Sequence, residues 1–112
     1  MGSSAALAMA PIAVRNKVVF ISPTASNPKL TMAGDYFFRV CPSDAYEGEF
    51  VANVAYNKLK VRRVSILYIN NDYGIGLKDS FKKVFEKLNG DIISEGSFNE
   101  GDSDFRSQLA KI

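Results

Sequence analysis

Short apolar runs of strand length alternate along this chain with longer stretches of helical period. A chain patterned in this way closes its core by laying helices against a mainly parallel sheet, so the fold class is α/β. The strand runs are Val18-Val19-Phe20-Ile21, Tyr36-Phe37-Phe38-Arg39-Val40, Val64-Ser65-Ile66-Leu67-Tyr68-Ile69 and Asp91 to Phe98. The first is apolar at every position, which predicts a strand buried on both faces. Ala5 to Asn16 is rich in helix formers, with Ser3 or Ser4 as the N-cap and Pro11 predicted to kink it. A second helix, about 45–60, starts at Ser43 or Asp44 and turns Phe50, Val51, Val54, Ala55 and Leu59 inward. A third, about 73–89, carries Leu77, Phe81, Val84 and Leu88 at i, i+4, i+7 and i+11. Lys78, Lys82, Lys83, Glu86 and Lys87 fill its solvated face, and Asn89-Gly90 stops it. Gly101-Asp102-Ser103-Asp104 opens a last helix, in which the chain ends at Ile112. A start in a helix cap and a stop in mid-helix read as a piece of a longer chain.

Composition excludes several chemistries. The 112 residues contain no histidine, which removes His-based acid/base catalysis, a Ser-His-Asp triad and histidine metal ligation. Cys41 is the single cysteine, so it has no disulfide partner within the chain and makes no metal site, and a buried filler is its expected role. A net charge of +2 gives no basis for nucleic-acid binding. The charge is uneven: residues 1–43 hold four basic groups and one acid, a mild bias toward an anionic ligand group there. No apolar run is long enough to span a bilayer, and the N-terminal stretch lacks the basic region of a signal peptide and is interrupted by Pro11. Gly74-Ile75-Gly76 lacks the third glycine of a dinucleotide fingerprint.

The candidate chemistry gathers at strand ends, where open α/β sheets hold ligands. Val18 to Ile21 runs into Ser22-Pro23-Thr24-Ala25-Ser26-Asn27-Pro28, a hydroxyl-dense loop stiffened by prolines. Thr24 and Ser26 offer hydroxyls and backbone amides to a ligand there, or form turns that only shape the loop. Gly2-Ser3-Ser4 at a helix start is an anion site suited to a carboxylate, or a plain cap. Tyr73, before Gly74, closes over a ligand or sits exposed in a strand-to-helix turn. Asp44 and Asp72 are carboxylates near strand ends, placed to pair with a ligand ammonium or to cap helices.

In order and spacing these words resemble the type I periplasmic binding proteins, specifically the leucine/isoleucine/valine-binding family of ABC-transporter substrate-binding components. The matching text is Gly2-Ser3-Ser4 with Ala10-Pro11-Ile12-Ala13, Val18 to Leu30, Phe38-Arg39, Ser43-Asp44 with Gly48, Asn71-Asp72-Tyr73-Gly74 with Gly76-Leu77, and Gly101-Asp102-Ser103-Asp104-Phe105 with Gln108-Leu109. The resemblance implies a partial type I periplasmic binding protein fold, three-layered and Rossmann-like around parallel sheets. Residues 1–43 would belong to a first lobe and 44–112 to a second. Ser3, Thr24 and Ser26 would grip an amino-acid ligand from the first lobe, and Tyr73 would come across from the second. Asp44 falls at the crossing, as a hinge residue or beside the ligand ammonium. The expected function is non-enzymatic, without metal or cofactor: capture of an amino acid or similar carboxylate for an ABC-transporter permease, in the periplasm or outside the cell. Incomplete sheets also predict self-association of the isolated chain. Two other readings stand beside it. One is a ligand-sensing domain of the same fold in a receptor or regulator. The other is a flavodoxin-like enzyme or phospho-acceptor module centred on Asp72, which lacks the clustered acids such a site needs.

Overall fold

A computed structural model describes residues 2–111; Met1 and the chain end at Ile112 lie outside the described residues. Helix α1 (Ser3–Arg15) runs through Pro11, whose ring is exposed. Its N-cap is Gly2, in extended conformation and without a side-chain cap bond, so neither Ser3 nor Ser4 caps it. Strands β1 (Phe20–Ser22) and β2 (Phe37–Arg39) pair in parallel, Phe20 against Phe37 and Ser22 against Arg39. Residues 23–36 connect them and include a 3-10 turn, Pro28–Met32, capped by the Asn27 side chain. The small residues Ala6, Ala10 and Ala25 let α1 approach this connection closely, and Leu30 completes the cluster.

Val18, Val19 and Ile21 are more than half exposed, against the expectation of a strand buried on both faces. Among the described residues β2 is the one strand paired with β1, and α1 packs against it, so one edge of β1 stays unpaired.

The second sheet is built from a β-α-β unit. Strand β3 (Arg63–Ile69) and strand β4 (Asp91–Phe98) pair in parallel, with α3 (Asp72–Lys87) as the crossover. Asn89 takes the left-handed conformation after α3 (φ 65°), and the Gly90 N–H returns to the Phe85 carbonyl. Helix α2 (Asp44–Asn53) is capped by the Ser43 hydroxyl and runs on into one π-helical stretch, Val54–Lys58. It packs on α3 through Gly48 and Ala52, both buried, while Phe50, Val51 and Leu59 are exposed. The inward set read from the sequence is therefore corrected at those three positions. The reason is the closeness of the crossing: a Cβ on Gly48 would stand 2.6 Å from the Phe81 nitrogen. An approach that tight selects the smallest side chains and turns the large ones away.

On α3, Leu77, Phe81, Val84 and Leu88 are half-buried as the period predicts, but the fully buried residue is Phe85. It stacks on Phe81 (5.2 Å between centroids) and meets Tyr56 edge-on (6.0 Å). Lys78 departs from the solvated face: its side chain is 14% exposed, paired with Asp79 and Glu95, and its ammonium lies over the Tyr68 ring. The last helix, α4 (Arg106–Leu109), is shorter than expected. The Asp102 carboxylate accepts the Asn99 N–H, and Gly101 has φ 91°, so residues 99–102 close as a turn and the helix begins after them.

The radius of gyration is 16.1 Å, against about 13 Å for one compact domain of this length. Among the described residues the strands form two separate two-stranded sheets.

Candidate functional site

The first turn of α1, the loop after β1 and the start of α3 converge on a cavity of about 510 Å³, lined by Gly2, Ser3, Ser4, Ala5, Thr24, Asn71, Tyr73 and Glu100. Residues far apart in sequence meet there because α1 packs on the β1–β2 connection and α3 touches α1. At the end of α1 the N–H groups of Ser3, Ser4 and Ala5 have no partner within the helix, whereas Ala6 already donates to the Gly2 carbonyl. Three backbone donors and the positive end of the helix dipole therefore face the cavity, a surface that accepts a carboxylate. Ser3 is buried, and its hydroxyl oxygen accepts the Asn27 N–H at 3.2 Å, which leaves its own proton to donate.

Thr24 is exposed on the cavity wall. Tyr73 is 41% exposed; burial of its phenol, then Glu47 and Asp44, hold its pKa above the ordinary value, so it is a hydrogen-bond donor at neutral pH. Ser26 and Asp44 do not line the cavity. Ser26 is half-buried, and its carbonyl accepts the Asp44 N–H at 2.9 Å. Asp44 is fully buried at the first position of α2, and neither carboxylate oxygen has a hydrogen-bond partner. Helix capping, the plainer alternative for Asp44, is corrected: Ser43 takes that role. Burial pushes the Asp44 pKa up; the Ser26 side chain beside it opposes the shift without satisfying either oxygen. A buried carboxylate without a donor is costly unless a cation reaches it. Asp72 opens α3 and is half-buried, and Asn71 rather than Asp72 caps that helix, accepting the Gly74 N–H.

Sequence reasoning missed four contributors. Arg39 donates to the carbonyls of Ser26 (3.2 Å) and Asn27 (2.9 Å) and to the Thr31 hydroxyl (2.6 Å), fixing the loop that carries Ser26. Asn71 had a local signal, an Asn three residues before Gly74 at a helix start. Glu100 and Asn27 had none, because only the tertiary approach of the two sheets brings them in.

A second hollow of about 550 Å³ lies between α2, β3 and α3. Its wall is mainly apolar, with Val51, Ala55, Val64, Ile66, Leu77 and Phe81, and Ser65, Tyr68, Tyr73, Glu47 and Lys78 also reach it. Among the described residues no three Cys, Asp or Glu side chains stand together as metal ligands, and no helix is long and apolar enough to cross a membrane.

The family model described as the receptor family ligand binding region matches residues 1–112. The Leu/Ile/Val-binding protein homolog 3 of Brucella melitensis is 30% identical over 108 residues, 96% of this chain and 29% of that protein. A leucine-binding protein from Thermotoga maritima superposes with a TM-score of 0.89 at 37% identity, covering 96% of this chain and 31% of its own. A solute-binding protein of an ABC transporter from R. palustris, in complex with benzoate, superposes with a TM-score of 0.89 at 25% identity, over 98% of this chain and 31% of its own. These relatives are binding proteins, and the chain spans about 30% of their length.

Proposed function

This chain belongs to the receptor family of ligand-binding regions, and from that we propose that its parent is a solute-binding protein that captures an amino acid for an ABC transporter. The observation that carries the choice of an amino acid is the buried Asp44 carboxylate, which lies outside the cavity lining but near enough to Tyr73 on the cavity wall to raise its pKa. A ligand with only a carboxylate would use the end of α1 and leave Asp44 uncompensated. A ligand that also carries an ammonium gives Asp44 its counter-charge, in a charge-assisted hydrogen bond. The names of the relatives support this: leucine and Leu/Ile/Val binders stand among them, beside a benzoate complex.

In this reading residues 1–43 contribute to one lobe and 44–112 to the other, in keeping with the two separate sheets. Ser3 and the α1 N–H groups bind the ligand carboxylate. Thr24 supplies a further polar group from the cavity wall, Tyr73 donates from the second lobe as it closes, and Ser26 and Asp44, outside the lining of the free cavity, reach the ligand only on that closure, Asp44 at its ammonium. The protein performs no catalysis; it delivers its ligand to a membrane permease from the periplasm or the cell exterior. Isothermal titration of the full-length parent with leucine, isoleucine, valine and benzoate tests this. Heat with a branched-chain amino acid supports it. Heat with benzoate alone, or with none of the four, sinks it.

A further inference from the structure

Asn27 does not line the cavity, yet each of its polar atoms is engaged, and its partners belong to different parts of the molecule. It is 3% exposed. Its N–H donates to the Ser3 hydroxyl oxygen at 3.2 Å. Its carbonyl accepts the Arg39 guanidinium at 2.9 Å and the Leu30 N–H at 3.1 Å. Its side-chain oxygen accepts the Lys29 N–H at 2.9 Å, and its side-chain amide donates to the backbone carbonyl of Asp72. The last bond crosses from the connection after β1 to the first residue of α3, beside Tyr73. Gly76 makes room for it. A Cβ there would stand 2.8 Å from the Asn27 amide nitrogen and 3.1 Å from the Pro28 ring, closer than side chains settle.

We propose that Asn27 is a positioning residue that couples the Ser3 cradle to α3, with Gly76 as the side-chain-free surface it needs. The Asn27 N–H occupies a lone pair of the Ser3 hydroxyl, which turns the hydroxyl proton toward the cavity. The Asn27 side chain reads whether the first turn of α3, and with it Tyr73, has arrived. Withdrawing α3 removes the acceptor of a buried amide, which is costly. Seating a carboxylate on Ser3 therefore favours the approach of α3, and the approach of α3 favours seating the carboxylate by the same factor. The proposal rests on the reading of this cavity as the ligand site, and the experiment separates the two.

The full-length parent is compared with Gly76→Ala, Asn27→Asp, Asn27→Ala and the double variant Asn27→Ala/Gly76→Ala. Asn27→Asp keeps the acceptor for Lys29 and loses the donor to Asp72. Hydrogen exchange of the Asn27 amide reads the Ser3 bond without any ligand. It accelerates about tenfold in Gly76→Ala, the effect of losing roughly one hydrogen bond, while amides along α1 keep their protection. Leucine affinity falls about tenfold in both Gly76→Ala and Asn27→Asp. The double variant binds no worse than Asn27→Ala alone, because removing the side chain clears the space the new methyl needs. Unchanged Asn27 exchange in Gly76→Ala overturns the proposal, as do single-variant losses that multiply in the double or protection lost evenly across α1. If the wild type gives no heat with leucine, the functional reading fails, and the Asn27 exchange in Gly76→Ala still decides the coupling.

Discussion

Replacing Asp44 by asparagine separates ligand chemistry from stability, because the two respond with opposite signs. In the free protein the Asp44 carboxylate is fully buried with neither oxygen bonded, and burial holds its pKa above the ordinary aspartate value. Asparagine has the same shape and no charge to desolvate. The unliganded Asp44→Asn protein is therefore more stable at pH 7, by about 1 kcal/mol or more. With leucine bound, the same change removes a hydrogen bond to a charged group, worth about 1.5–3 kcal/mol, or roughly 10- to 150-fold in Kd. For 4-methylpentanoate, which is leucine without its amino group, the change in Kd is close to none. Thermal unfolding without ligand and calorimetric titration with the two ligands measure all three quantities on one preparation. Loss of stability in the free variant, or equal losses for leucine and 4-methylpentanoate, would refute the argument.

The same carboxylate sets a pH dependence. Its folded-state pKa is raised, so the stability drawn from the neutral acid is present at low pH and disappears as pH rises through the raised value. Leucine affinity moves the other way, weakening on acidification while ordinary aspartates are still ionised, and titrations across pH 4–8 on wild type and Asp44→Asn show the dependence only in the former. Ser3→Ala removes a hydroxyl donor from the carboxylate site and weakens leucine and 4-methylpentanoate alike, by about tenfold in calorimetry. Gly48→Ala forces a methyl to within 2.6 Å of the Phe81 nitrogen, and urea unfolding registers a loss of about 1–3 kcal/mol. Phe85→Ala empties a fully buried ring position, at a cost of about 3–5 kcal/mol in the same assay.

Local signals carried the element pattern and tertiary ones did not. The α3 stripe was legible because a period of 3.6 is written within one helix. Phe85 was not, since Tyr56 from the π-helical stretch after α2 is part of what buries it. Phe50 and Leu59 follow the rule that large apolar residues turn inward; the rule fails where the helix crossing is close enough to admit only Gly48 and Ala52. Lys78 reads as a solvent-facing lysine until Glu95 on β4 and the Tyr68 ring are brought beside it. At the cavity, Ser3, Thr24 and Tyr73 were legible as polar residues at the ends of elements, and they do converge. The orphaned state of Asp44 was not. It depends on Ser43 winning the cap and on the Ser26 side chain lying near the carboxylate without bonding either oxygen.

The polar loop after β1 is also the sole chain path from β1 to its parallel neighbour β2. Its length is therefore tied to strand register, with Phe20 opposite Phe37 at one end and Ser22 opposite Arg39 at the other. Insertions or deletions between residues 23 and 36 would change the cavity wall at Thr24 and the sheet together. On the proposed reading of the cavity as the ligand site, new specificities are reached by exchanging side chains at fixed length, at cavity-wall positions such as 24. A library built on this scaffold gains more from substitution than from loop grafting.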